Sequence, residues 1–246
     1  MNRALFLVAF AATSAIALPA FAAQAPASGL VAVPLTDIAQ PIIHGDSFKS
    51  IDHLRHQRGS HASRVDAPVG LTDADFSVQF DAGVSRDARA DYIADVERSS
   101  GIQAARALDA WYDRHDAHAL LRDAMAPYAL RGDDFADVTT AWLVVMWSIA
   151  NQAPMPSPES VQAVRMQTRA SLLDKGRVPE RAAERQRALE ALVYQTVTLM
   201  HARDSAVANG DAAYLAELAD SAQAGMRRQH FDLRAMAMTD AGLERR

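Results

Sequence analysis

The chain has 246 residues, a formal net charge of -5, half of its residues hydrophobic, and no cysteine. An acidic balance argues against nucleic acid and anionic lipid as partners, because both select basic surfaces. Without cysteine there is no disulfide, no thiol nucleophile and no cysteine for lipid attachment, so the fold must rest on a hydrophobic core.

The first residues read MNRALFLVAFAATSAIALPAFAAQA. Arg3 precedes an apolar run over residues 4–18, Pro19 breaks it, and Ala20-Phe21-Ala22 has the small-x-small form of a signal-peptide cleavage site. The run is shorter than the roughly 20 apolar residues of a permanent span. The expectation is a signal peptide over residues 1–22. The mature chain would begin at Ala23, exported to the periplasm or the medium, not lipidated and with no integral membrane span.

Residues 23–83 read as an irregular, flexible linker. They carry Pro26, Pro34, Pro41 and Pro68 and few periodic apolar positions. Inside lies DHLRHQRGSH, with Asp52, His53, His56 and His61. A His-x-x-His pair, a third histidine and a carboxylate could hold zinc. A polar, arginine-bearing segment offers no apolar shell to orient such ligands, so a solvated histidine-rich linker is the favoured reading. Toward the end of the linker, DFSVQF at 75–80 alternates like a short extended piece.

Residues 84–246 read as an all-α domain, a single bundle of about seven helices. Ser85 can cap a helix to about residue 99, with Tyr92, Ile93 and Val96 inward. Gly101 separates it from IQAARALDAWYD, whose stripe is Ala104, Leu108, Trp111 and Tyr112. Asp116 can cap a short helix with Leu120, Leu121 and Met125 inside, ended by Pro127. After the next segment, Ser157 and Pro158 form a strong start signal, followed by Val161, Val164, Thr168 and Leu172. Gly176 stops that helix and Pro179 starts a long one striped by Leu189, Val193, Thr196 and Met200, which ends at Gly210. Asp211 caps a helix with Leu215, Leu218, Ala222 and Met226 inside. A last turn or helix is expected through FDLRAMAMTDAGL, and no run of strands that could form a sheet is visible.

The segment GDDFADVTTAWLVVMWSIANQ, 132–152, decides the core. Phe135, Val138, Trp142, Val145 and Ile149 share one face, and Leu143, Val144 and Trp147 cover much of the other. A helix apolar all round is buried or spans a membrane. This one is too short for a span, so it should be the central helix, with each indole N–H finding a partner. Asp134 as N-cap puts Asp137 at the third helical position, where a carboxylate faces backbone N–H groups and the positive end of the helix dipole. The same Asp137 is also the most tempting catalytic carboxylate in the chain.

This stretch, with LLRDAMAP before it and the terminal AMAMTDAGL, resembles a family of exported bacterial proteins classed as a domain of unknown function. That family has a Tyr-Gly-Leu turn, an Ala-Asp helix start, an aromatic-rich helix and a Leu-Thr-x-x-Gly ending. The matching residues are Tyr128, Leu130, Ala136, Asp137, Trp142, Trp147, Asn151, Thr239 and Gly242, over roughly residues 80–243. Ala129 stands where the family has glycine, and Val138 where it has alanine. The resemblance implies export and a helical domain and brings no activity.

One further cluster, DRHDAHALLRD, holds Asp113, His115, Asp116, His118 and Asp123. A His–Asp pair there could act as general acid or base. Capping by Asp116 and a favourable cation site for His115 at a helix end explain it structurally. There is no Gly-x-Ser-x-Gly, His-Glu-x-x-His or phosphate loop, and no cofactor is expected. The favoured function is a non-catalytic envelope protein that binds a protein, peptide or envelope ligand. The alternatives are a hydrolase or metal-dependent enzyme using Asp137 or the His115–His118 region, and an inhibitor or immunity factor. A polar pocket joining Asp137, Tyr128 and His115 would mark the enzyme; an apolar groove would mark the binder.

Overall fold

The computed structural model describes residues 76–174 and 178–246. The expected signal peptide, most of the expected linker with its histidine tract, and Gly176 lie outside them. Among the described residues there are seven α-helices: α1 Ala82–Ser100, α2 Ile102–Tyr112, α3 Ala117–Met125, α4 Phe135–Ala150, α5 Pro158–Asp174, α6 Ala182–Asn209 and α7 Ala212–Arg228.

Most boundaries follow from side chains that satisfy the free backbone groups of a helix end. The carboxylates of Asp116, Asp134 and Asp211 accept backbone N–H bonds at the starts of α3, α4 and α7. The Ser157 hydroxyl accepts from Ser160 N at 3.2 Å with Pro158 as the first helical residue of α5. Gly210 closes α6 at φ 67°, a left-handed angle that glycine adopts without penalty. Two starts differ from expectation. α1 begins a turn early, because Asp81, in extended backbone, accepts from Gly83 and Val84 N–H, and Ser85 becomes an interior residue. α6 starts at Ala182, beyond Pro179. Pro127 sits within a 3₁₀ turn, Ala126–Tyr128, that prolongs α3.

Every residue of α4 is buried. It packs against α5, α6 and α7, while α1 packs on α2 and α6. The 132–152 segment therefore holds the central helix of the bundle. No helix among the described residues is long and apolar enough to cross a membrane. The Trp147 indole donates to the Met236 carbonyl at 3.0 Å. Trp142 is wholly buried with its N–H unpaired, against the expectation that both would be satisfied. Of the expected α3 core residues, Leu121 and Met125 are buried and Leu120 is exposed.

Phe76 and Val78 are buried beside the start of α4. Val78 N–H donates to Asp133 O at 2.8 Å and Phe135 N–H to Phe76 O at 2.9 Å, so an extended strip satisfies the first free N–H of the central helix.

The C-terminus bears out a last turn and corrects the expectation that no strands pair there. After a 3₁₀ turn, Leu233–Ala235, come β1 Met236–Thr239 and β2 Gly242–Arg245, antiparallel, with Met236 opposite Arg245 and Thr239 opposite Gly242. The cause is tertiary. The Gln167 amide of α5 accepts from Leu243 N–H at 2.9 Å and donates to Leu243 O at 3.5 Å, in the place of a third strand. Gly242 at φ 104° closes the hairpin, and a Cβ there would lie 2.4 Å from Gln167. The hairpin tip returns to the start of α5, where the Ser160 hydroxyl donates to Asp240 at 2.9 Å.

Candidate functional site

Asp137 sits where the sequence places it, three residues after the Asp134 cap. Its carboxylate does not return to the Asp134 N–H. It accepts instead from the Arg131 backbone N–H at 3.0 Å. The Arg165 guanidinium grips it with two bonds, Nε to Oδ1 at 2.6 Å and the second nitrogen to Oδ2 at 2.9 Å. Arg169 reaches both acids, 2.9 Å to Asp137 and 3.1 Å to Asp134, and lies over the Phe76 ring at 4.6 Å. Two carboxylates and two guanidiniums thus form a nearly neutral, largely buried knot joining α4 to α5. Burial pushes the Asp134 carboxyl above its usual range, more than the Asp137 N–H and Arg169 pull it down. Neither arginine was legible as a partner. The one available signal was their i, i+4 spacing beside the apolar stripe of α5.

His118 lies elsewhere. Its Nε2 is 2.8 Å from an oxygen of Glu190, a wholly buried residue of α6. The other Glu190 oxygen accepts from the Ser85 hydroxyl and from Gln186 Nε2, the latter at 3.2 Å. Gln186 also donates to Ser85 Oγ at 3.0 Å. Burial alone would raise the Glu190 carboxyl, but hydrogen bonds from His118, Ser85 and Gln186 hold it below its ordinary value. Serine, glutamate and histidine are all present, yet the order is wrong for a nucleophile: the serine bonds the carboxylate, and the imidazole that would take its proton lies on the far side. The polar pair Gln186–Glu190 on the face that carries Leu189 and Val193 was the missed signal.

His115 has a third set of neighbours. Its ring stacks on Trp111 at 4.3 Å, as does that of His201 at 4.6 Å. Its Nδ1 lies 2.8 Å from the Trp111 carbonyl. Burial first, and the nearby His115 second, lower the His201 pKa. Asp116 caps α3 as expected, and Asp113 pairs with Arg89 at 2.7 Å. Asp123 is an exposed residue of α3. The candidates Asp137, His115 and His118 therefore share no partner. His53, His56 and His61 lie outside the described residues. Among those described, no group of three or more His, Asp or Glu side chains could hold a metal ion.

A cleft of about 160 Å³ opens between α3, α4, α5 and α6. Its apolar lining includes Leu121, Met125, Val144, Val161, Met155 and Met200. Its polar lining comes from Tyr128, Arg203 and Asp204. Tyr128 joins this cleft, but Asp137 and His115 do not. No known family, no curated protein and no solved structure matches the chain.

Proposed function

We propose that the chain is an exported, non-catalytic binding protein of the bacterial envelope, whose cleft takes an apolar group of its ligand. The cleft carries this reading. It is apolar, and its methionines are flexible, polarizable side chains suited to adaptable contact. Its volume matches the roughly 150 Å³ of a cavity that holds benzene and falls short of the roughly 300–1,000 Å³ of sites that enclose a whole drug-sized molecule. The carboxylates that could serve chemistry are occupied: Asp137 by two arginines, Glu190 by three hydrogen-bond donors. The leader-like start of the sequence supports the location.

Toluene tests the cleft. A ligand that binds only the folded state raises the melting temperature by mass action. Toluene at saturating concentration should raise it for the natural chain, and not for Ala124→Met, which places a side chain into the cleft from α3. No shift in the natural chain would remove the ground for this reading. Intact mass of the exported protein should correspond to a start at Ala23.

A further inference from the structure

We infer that the cleft recognises a free apolar α-amino acid, with its side chain among the methionines, its carboxylate on Arg203 and its ammonium on Asp204. This rests on the cleft being a binding site, as proposed above. Arg203 is half-buried and donates to the Ala153 carbonyl at 3.3 Å. Among the described residues it forms no ion pair with a carboxylate, unlike Arg165 and Arg169. Asp204, exposed next to it, forms no ion pair either; its charge acts on the neighbouring His201. Two opposite charges thus stand together at an apolar cleft, each with bonding capacity to spare.

The ligand that answers this arrangement carries one apolar group and both charges close to it. An interior residue of a peptide carries neither charge. A peptide N-terminus has only the ammonium, and a peptide C-terminus or a fatty acid only the carboxylate, which Asp204 would repel. A free amino acid carries both on the carbon that bears its side chain. The volume suits one leucine or phenylalanine side chain, by comparison with the roughly 150 Å³ that holds benzene. The planar guanidinium fork of Arg203 matches a carboxylate, and the Tyr128 hydroxyl can bond to either end of the zwitterion.

The test is a ligand series titrated into the full chain by calorimetry, with toluene alongside. L-Phenylalanine should bind on the order of a hundredfold tighter than N-acetylphenylalanine amide, since two charge-assisted bonds are lost and each is worth about a factor of ten. Phenylalanine amide and N-acetylphenylalanine, each with one charge, should fall between them. Glycine should not bind measurably. Arg203→Gln should make phenylalanine and phenylalanine amide bind alike, and Asp204→Asn should make phenylalanine and N-acetylphenylalanine bind alike, with toluene binding unchanged in both. Equal affinity across the series, or toluene binding without amino-acid binding, overturns this inference and leaves the cleft as an apolar site. Failure of toluene as well removes the reading it rests on.

Discussion

Asp137 and Glu190 have no exposed side-chain surface, yet the bundle holds them by different means. Asp137 meets two guanidiniums and one backbone N–H. Glu190 meets a hydroxyl, an amide and an imidazole. At the first, permanent positive charge offsets the desolvation of a carboxylate. At the second, hydrogen bonds do so, and only one partner can become charged. Removing the negative charge should therefore have different consequences at the two places. Asp137→Asn would leave the Arg165 guanidinium without its carboxylate in a largely buried corner and Arg169 with Asp134 alone, and breaking such a pair costs about 3–5 kcal/mol. Chemical denaturation should show the loss as a lower midpoint. A cost under 1 kcal/mol would mean that the carboxylate serves chiefly as a helix-dipole group, worth about 0.3–1 kcal/mol.

Glu190→Gln should cost less, about 1–3 kcal/mol at neutral pH, the penalty for buried donors left poorly matched. Its pH signature is more telling. The folded-state pKa of Glu190 lies below its ordinary value. The stability it contributes is therefore present above the ordinary carboxyl pKa of about 4.3, and is lost as pH falls through the lower folded value. Asp134 has the opposite sign: its pKa is raised, so the folded state holds that proton more tightly, and acidification through this range favours folding at that site. Melting curves from neutral pH into this acid range should fall less steeply for the Gln variant than for the natural chain. Parallel curves would show that Glu190 is not the source of that acid sensitivity.

Local signals and long-range pairings account for what could be read in advance. Asp116, Asp134, Ser157 and Asp211 act on N–H groups two or three residues away, so their spacing alone reveals the caps. The all-round apolar face of α4 likewise has one buried solution. The ends of the candidate site are not local. Arg165 and Arg169 lie 28 and 32 positions from Asp137, and Ser85 lies 105 from Glu190. An arginine on a helix reads as solvated until the neighbour it faces is known. The hairpin was illegible for the same reason, since Gln167 supplies its third edge from 76 positions away.

Arg165→Lys sharpens the first side of the comparison, because it keeps the charge and removes the fork. A lysine ammonium is a point donor and cannot make the two parallel bonds of 2.6 and 2.9 Å to Asp137. The expected cost is about 1–2 kcal/mol, near that of one charged hydrogen bond. It should be largely absent in the Asp137→Asn background, as a double-mutant cycle would show. Additive losses would mean that Arg165 acts through its packing and not through the carboxylate.

The smallest effect concerns the turn that delivers the Arg131 N–H to Asp137. Ala129 has φ 51° and ψ 35°, a left-handed conformation that glycine adopts without penalty. Its methyl is at the surface, so little packing offsets the strain. A Cβ in that region costs about 1–2 kcal/mol. Glycine removes this cost but gives the unfolded chain more freedom to lose, roughly 0.4–1 kcal/mol in the other direction. Ala129→Gly should therefore stabilise the fold by a few tenths to about 1 kcal/mol. Urea unfolding should show a higher midpoint with an unchanged slope. If the turn matters by aiming the Arg131 N–H, part of that gain should vanish in Asp137→Asn, where the carboxylate it serves has lost its charge. A full gain in both backgrounds would reduce the effect to local strain. A lower midpoint would mean that the methyl's restriction of the unfolded chain outweighs the strain it carries when folded.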